Sequence, residues 1–330
     1  MKPSGGSPGG SRGATPIGLM GSGAFAIPSF EAIAARAEGL GVSIALVVSQ
    51  PDRPAGRGRG VQATPVSAWA KGRGLELLAR DDVNDGVVRE LLVASGVAHV
   101  VVIAFGQRLS EGLLSGVDAI NLHGSLLPRW RGAAPIQRSL MEGDRRVGVS
   151  VIEVSPRMDA GLVYAQAVTE VGDRETAGEL HDRLALVGVE PLVETLGRLV
   201  GGGRSSLGGI VQDEPIATRA RKLSRADAYV DFSATAVRVA ARINGLSPWP
   251  GVDAMLGDHP IKILRACAVE MDTTDSPPGT VLAEGGVACG AGAVELLEVQ
   301  APGGRACSLR AFLLGRRLGV GCLVRSAAPS

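Results

Sequence analysis

The sequence predicts an α/β fold, a doubly wound and mostly parallel sheet, followed by a smaller β domain. Three observations carry this expectation. Continuous apolar, β-branched runs recur as far as Val154 and read as strands buried on both faces, the signature of a parallel sheet. Stretches with helical apolar spacing lie between those runs, so strand and helix alternate. Near residue 201 the composition shifts. GGGRSSLGGIVQDEP (201–215) is rich in Gly and Ser and reads as a connector. A chain of 330 residues suits two domains at roughly 100–200 residues each.

In chain order, PIGLMG (16–21) is the first expected strand, short and apolar. SGAFAIPSFEAIAARA follows as a helix, with Phe25, Phe30 and Ile33 on one face. GVSIALVVSQ (41–50) is the second strand, and the prolines and glycines of PDRPAGRGRG after it predict a protruding loop. Helices are expected near 63–72 and 85–95, then strands at VAHVVVIAF (97–105), VDAINLH (117–123) and GVSVIEV (148–154). AAPIQRSLMEG and ETAGELHDRLALVGVEPLVETLGRLV read as helical. Beyond about residue 220, IKILRACAVE, GTVLAEGGVACG and AVELLEVQAPGG suggest a small all-β domain, a barrel, and no internal repeat is visible.

The balance of 34 basic against 33 acidic residues gives a net charge of +1. No global field gathers a polyanion, so any nucleic-acid contact must rest on local clusters. Those clusters would be arginines, because only four of the basic residues are Lys, and Arg is the better bidentate phosphate ligand. No apolar run approaches the roughly 18 residues of a spanning helix, which predicts a water-soluble chain without membrane attachment. Cys267, Cys289, Cys307 and Cys322 show no CxxC spacing, so free thiols in a reducing compartment are expected rather than a zinc site. The opening MKPSGGSPGGSRGATP has two positive charges and no apolar core, which fits a disordered extension better than a secretory signal.

The densest chemistry lies in INLHGSLLPRWRGAAPIQ (120–137). Asn121 and His123, two apart on a strand, share a face, and they sit at the carboxyl end where open α/β sheets bind ligands. An Asn amide can donate to a developing oxyanion, and an imidazole can act as acid or charge stabiliser. The alternative is a satisfied core histidine. Asp159 in MDAG (158–161) is either a turn or cap residue or a carboxylate that orients His123. GSGAFA (21–26) matches GxGxxA, yet the second strand ends in Val48, Ser49 and Gln50 without the acid that holds a ribose. A glycine-cornered turn without dinucleotide is the reading. Arg53, Arg57 and Arg59 in QPDRPAGRGRG are either solvated surface charges or a clamp for a phosphate backbone.

Together, the Asn-x-His and SLLPRWRGAAPIQ segments, QPDRPAGRGRG, ARKLSRADAYVDF (220–232) and GLSPWPG (245–251) resemble the methionyl-tRNA formyltransferase family, from Gly18 to about Val324. The resemblance implies a Rossmann-like formyltransferase domain over 17–203, a linker over 204–222 and an OB-like, tRNA-binding β-barrel over 223–330, preceded by a disordered extension over 1–16. It implies formyl transfer from 10-formyltetrahydrofolate to the amine of initiator methionyl-tRNA, without a metal, by a cytoplasmic monomer. Asn121, His123 and Asp159 match the family's catalytic residues, and Ser125, Leu126, Leu127 and Pro128 its folate-lining segment. Arg57, with Arg53 and Arg59 beside it, matches the inserted loop that contacts tRNA. The chain departs from the family at Ser22, Gly23 and Ala24, at Leu162, and at Arg157, where Gly is common. A side chain at position 157 restricts the positive φ angles open to Gly. An amino-sugar formyltransferase, a formyltetrahydrofolate hydrolase and a non-catalytic tRNA-binding relative remain alternatives.

Overall fold

Strand β1 (Thr15–Gly21) starts one residue before PIGLMG and buries Ile17, Leu19 and Met20 completely. It belongs to a computed structural model that describes residues 13–55, 60–271, 273 and 275–326. The expected amino-terminal extension falls almost wholly outside the described residues. The chain divides into two compact units, one comprising residues up to Leu122 together with Val189–Gly209, the other His123–Gly188 with the chain from Ile210 onward.

In the first unit, β1 pairs with β2 (Val42–Ser49) and, across the intervening chain, with β6 (His99–Ile103). Before β6 come the hairpin of β3 (Arg53–Ala55) with β4 (Gly60–Gln62), and the short strand β5 (Leu77–Ala79). After it comes β7 (Asp118–His123). The order β5-β2-β1-β6-β7 is parallel throughout. This matches the near-continuous apolar content of β6, all five of whose residues are buried. Helices Ile27–Ala35, Ala37–Leu40, Pro65–Gly72, Val87–Ala94, Glu111–Leu114 and Val189–Gly202 accompany these strands.

The helix expected directly after β1 begins later. Ala24–Ala26 form a 3-10 turn and the α-helix starts at Ile27, where Pro28 fits the first turn. The glycine corner explains the delay. The Ser22 and Gly23 amides both donate to the Ala104 carbonyl, at 3.2 and 3.1 Å. A Cβ on Gly21 would come 2.7 Å from the Ile103 carbonyl oxygen. The glycines of GSG thus let the end of β1 close against the end of β6.

The second unit contains β8 (Arg131–Gly132), the antiparallel pair β9 (Arg146–Glu153) and β10 (Val163–Glu170), and β11 (Arg219–Ala220), which lies parallel to β8. Its larger sheet follows, formed by β12 (Val252–Leu256), β13 (His259–Val269), β14 (Val287–Ala288), β15 (Ala293–Gln300), β16 (Ala306–Cys307) and β17 (Val324–Arg325). The order is β14-β15-β13-β12-β17, with β16 on β15, and all pairs are antiparallel. Single bridges from Val281 to Val287 and from Thr280 to Leu323 join its two edges into a nearly closed barrel.

This region is not all β, as the sequence suggested. Helices Ala236–Gly245 and Leu309–Arg316 accompany the strands. The first is capped by the Thr235 hydroxyl, and its Val239, Ala240 and Ile243 join Ile261, Ile263, Leu296 and Val299 in one core. The long helical stretch over 175–200 is also two helices, Ala177–Val187 and Val189–Gly202. Pro191 has no N–H to return to the Val187 carbonyl, which favours a break there. All four cysteines are free thiols. Among the described residues, no helix is long and apolar enough to cross a membrane.

Candidate active site at the end of strand β7

β7 brings Asn121 and His123 to one face by simple alternation, with His123 as its last residue. Asn121 is half-buried, and its amide has no hydrogen-bond partner among the described residues. His123 is buried. Its Nε2 lies 2.9 Å from the Trp130 carbonyl oxygen, and since a carbonyl only accepts, Nε2 carries the proton. Its Nδ1 lies 3.6 Å from Asp159 Oδ1. The ring is therefore fixed by a hydrogen bond at Nε2 and faces a carboxylate at Nδ1.

The carbonyl that orients it depends on an unusual backbone. Trp130 adopts φ 66°, a left-handed conformation that few non-Gly residues take. Three contacts hold it there. The Trp130 amide donates to Thr218 Oγ1 at 2.9 Å, and its indole Nε1 donates to Asp144 Oδ2 at 2.7 Å. The Arg129 guanidinium lies over the indole and donates to Asp144 Oδ1 at 2.9 Å. Arg129 thus acts through Trp130, a role that RWRG alone does not reveal.

Asp159 sits in the turn between β9 and β10, and it too is left-handed, with φ 53°. Asp tolerates that region better than most residues because its short polar side chain bonds locally. The left-handed position in this turn is Asp159 and not Arg157, so the side chain at 157 meets no conformational obstacle. Asp159 Oδ2 accepts from the Gly132 amide at 2.8 Å, which leaves Oδ1 toward His123. Gly132 itself lies so close to the Ala220 carbonyl, at φ 125°, that no side chain fits.

The four residues expected to line a folate site divide. Ser125 is buried, its hydroxyl donating to the Arg129 carbonyl at 2.7 Å, and Leu127 is buried against Ile152 and Val163. Leu126 and Pro128 are half-buried. Ser150 and Gln166 fix this segment: Ser150 Oγ donates to the Ser125 carbonyl and accepts from the Leu127 amide, while Gln166 Nε2 donates to the Leu127 carbonyl at 3.0 Å.

Of the arginines expected to meet a phosphate backbone, Arg53 is exposed on β3, with Nη2 3.4 Å from Asp81 Oδ1. Arg57 and Arg59 lie outside the described residues. The loop is in fact a two-stranded hairpin closed at its base, where Asp52 Oδ1 accepts from the Thr64 amide and Oδ2 from Lys71 Nζ at 3.1 Å. The Lys71 ammonium holds the Asp52 carboxyl below the usual range. Among the described residues, no group of three or more His, Cys, Asp or Glu is placed to hold a metal ion.

Sequence reasoning missed Asp144, Gln212, Glu214 and Thr218, which support the catalytic candidates from a distance in the chain. Their trace in the sequence is the pair of arginines in RWRG, Arg129 and Arg131, which pair with Asp144, Gln212 and Glu214.

Two family models match the chain, Formyl transferase over residues 19–196 and Formyl transferase, C-terminal domain, over residues 222–317. The methionyl-tRNA formyltransferase of Methylococcus capsulatus is 38% identical over 305 residues, covering 89% of this chain and 96% of that protein. That of Thiobacillus denitrificans is 37% identical over 303 residues, covering 90% and 95%. Among solved structures, an N-formyltransferase from Helicobacter canadensis in complex with folinic acid and dTDP-3-aminofucose superposes with a TM-score of 0.64. It covers 85% of this chain and 98% of its own at 12% identity, a likeness of fold.

Proposed function

The chain belongs to the methionyl-tRNA formyltransferase family, and from that premise we propose that it transfers the formyl group of 10-formyltetrahydrofolate to the α-amine of initiator methionyl-tRNA. The observation that carries the proposal is the His123 ring, oriented by Trp130 and Asp159 at the carboxyl end of β7, with the unspent Asn121 amide two residues before it.

A free α-amine titrates at about 7.7–8.0, so an uncharged nucleophile is present near neutrality without a strong base. Its nitrogen attacks the formyl carbon and gives up a proton. The bond from that carbon to folate N10 breaks, and N10 takes up a proton. Negative charge gathers on the formyl oxygen between these events. The Asn121 side-chain amide donates to that oxygen, and the His123 ring two residues on, when protonated at both nitrogens, sets a positive charge beside it. Asp159 supports the charged ring, as the buried carboxylate does in a Ser-His-Asp triad.

Leu126 and Pro128 form the accessible part of the proposed folate wall, while Ser125 and Leu127 anchor it. Arg53 on β3, with Arg57 and Arg59 a few residues later in the sequence, meets the tRNA backbone in this reading. We assign residues 17–203 to the formyltransferase domain, 204–222 to the linker and 223–330 to the tRNA-binding domain, a division supported by family matches over 19–196 and 222–317. A cytoplasmic monomer suits the reaction.

Incubation with 10-formyltetrahydrofolate and charged initiator tRNA should give formyl-methionine on the tRNA. Release of formate without transfer would point to hydrolysis instead. Arg57→Ala should impair use of tRNA and leave folate binding intact; unchanged kinetics for tRNA would remove the hairpin from the proposal.

A further inference from the structure

We propose that Gln212 is a positioning residue for Asp159, fixing the turn that presents its carboxylate to His123. The inference rests on the assignment of His123 and Asp159 above. Gln212 is buried, and its amide is fully committed: Nε2 donates to the carbonyl oxygens of Asp159 and Gly161, each at 2.8 Å, and Oε1 accepts from Arg131 Nε at 2.9 Å. One side chain therefore grips the turn on both sides of residue 160.

The turn needs such a grip. Asp159 is held at φ 53°, and its carbonyl lies in no helix or strand, so nothing in regular structure keeps it there. Gly161 cannot hold the turn with a side chain, because a Cβ at that position would collide with the Glu153 carbonyl oxygen. Among the described residues the carboxylate accepts one hydrogen bond, from the Gly132 amide to Oδ2.

Gln212 is in turn anchored by Arg131, which is buried and uses its remaining nitrogens as a fork on Glu214, Nη1 to Oε2 at 3.1 Å and Nη2 to Oε1 at 2.9 Å. Arg157 Nη2 adds a contact to Glu214 Oε2 at 2.5 Å. Arg131, followed by Arg157, pulls the Glu214 carboxyl down to about 2, so the fork stays charged at any assay pH near neutrality. The dipeptide Arg131–Gly132 thus meets the Asp159 turn twice, directly through the Gly132 amide and indirectly through Gln212. Trp130, the residue just before, supplies the carbonyl that orients the other face of His123. One short segment sets both partners of the ring.

Gln212→Met keeps the length of the side chain and removes every one of these hydrogen bonds. We expect kcat to fall about 10- to 100-fold, because misplacing a catalytic group by about 1 Å costs on the order of 10² in rate. KM for folate and for tRNA should each stay within about threefold, since Gln212 touches neither substrate in this reading. The second readout needs no activity. Amide hydrogen exchange of Gly132, protected by Asp159 Oδ2, should speed up at least tenfold in Gln212→Met, while Val149 and Val151 in β9 keep their protection.

A folded Gln212→Met protein with kcat within twofold of the parent and unchanged Gly132 exchange would overturn the proposal. A uniform rise in exchange, including Val149 and Val151, would also overturn it in favour of a purely structural role. Should that variant not fold, Glu214→Gln weakens the same anchor from the exposed side and should lower kcat about three- to tenfold; an undiminished kcat there is equally decisive. If the unaltered protein transfers no formyl group, the functional reading falls, and the Gly132 exchange still tests the positioning on its own.

Discussion

Replacing Asp159 by Asn removes a charge while keeping a shape. The Asn amide oxygen can still accept from Gly132, as Asp159 Oδ2 does at 2.8 Å, so the turn is expected to survive. What disappears is the attraction between the carboxylate and a charged His123 ring across 3.6 Å. At an effective dielectric of about 20, two unit charges at that distance attract by about 4–5 kcal/mol, and twice the dielectric halves this to about 2 kcal/mol. Both side chains are largely shielded, so the loss should fall inside that range. A barrier raised by roughly 2–4.5 kcal/mol slows turnover by about 10^1.5 to 10^3.3. The assay is single-turnover formylation of charged initiator tRNA at saturating folate, with KM for both substrates measured in parallel. We expect kcat to drop by about two to three decades with little change in either KM. A folded Asp159→Asn protein retaining more than a third of the parental rate would refute the electrostatic role.

Leu127→Ala should cost about 2–5 kcal/mol, because Leu127 is buried against Ile152 and Val163; urea unfolding checks this, and a loss below about 1 kcal/mol would contradict the packing. Gly161→Ala should destabilise by at least about 2 kcal/mol through collision with the Glu153 carbonyl, seen as a lowered Tm, and an unchanged Tm would show that the turn can yield. His99 is a pH-dependent stability element. Burial pushes its imidazole pKa below the ordinary 6.5, and Asp118, with Oδ2 3.7 Å from Nδ1, only partly opposes this. The unfolded chain therefore takes up the proton first as pH falls, so the stability held above pH 6.5 is lost below it, down toward the folded-state pKa. Urea midpoints at pH 7.5 and 5.5 should differ in the parent and converge in His99→Gln; an equal difference in both proteins would clear His99 of the effect.

The parallel sheet was legible because its strands are buried on both faces. Val100–Ile103 of β6 and Ile44–Val48 of β2 are apolar without interruption, and no periodicity needs to be guessed. β10 was missed for the opposite reason. VYAQAVTE alternates between half-buried and exposed positions and pairs antiparallel to β9, so it lacks the apolar run that marks its neighbours. The helix Ala236–Gly245 was missed among Gly- and Pro-rich surroundings that suggested short strands alone. At the site, Asn121 and His123 could be read from alternation on one strand. The hold of Gln212 on Asp159, and of Thr218 on Trp130, could not, since each joins residues more than 50 positions apart. Such pairings follow from tertiary closure, and local propensity carries no trace of them.

The parallel pairing of β8 with β11 bears on where this polypeptide can be cut or spliced. A fragment ending at residue 203, the limit suggested by composition, would keep Asn121, His123 and Asp159. It would lose Thr218, which receives the Trp130 and Arg131 amides, and Ala220, whose carbonyl receives the Ala134 amide. It would lose Gln212 and Glu214 as well. The Trp130 carbonyl and the Asp159 turn, which set the two sides of the His123 ring, would then lose their supports. A hybrid protein with a foreign carboxyl-terminal domain should therefore be joined beyond Arg221, so that the returning strand travels with the half whose chemistry it braces.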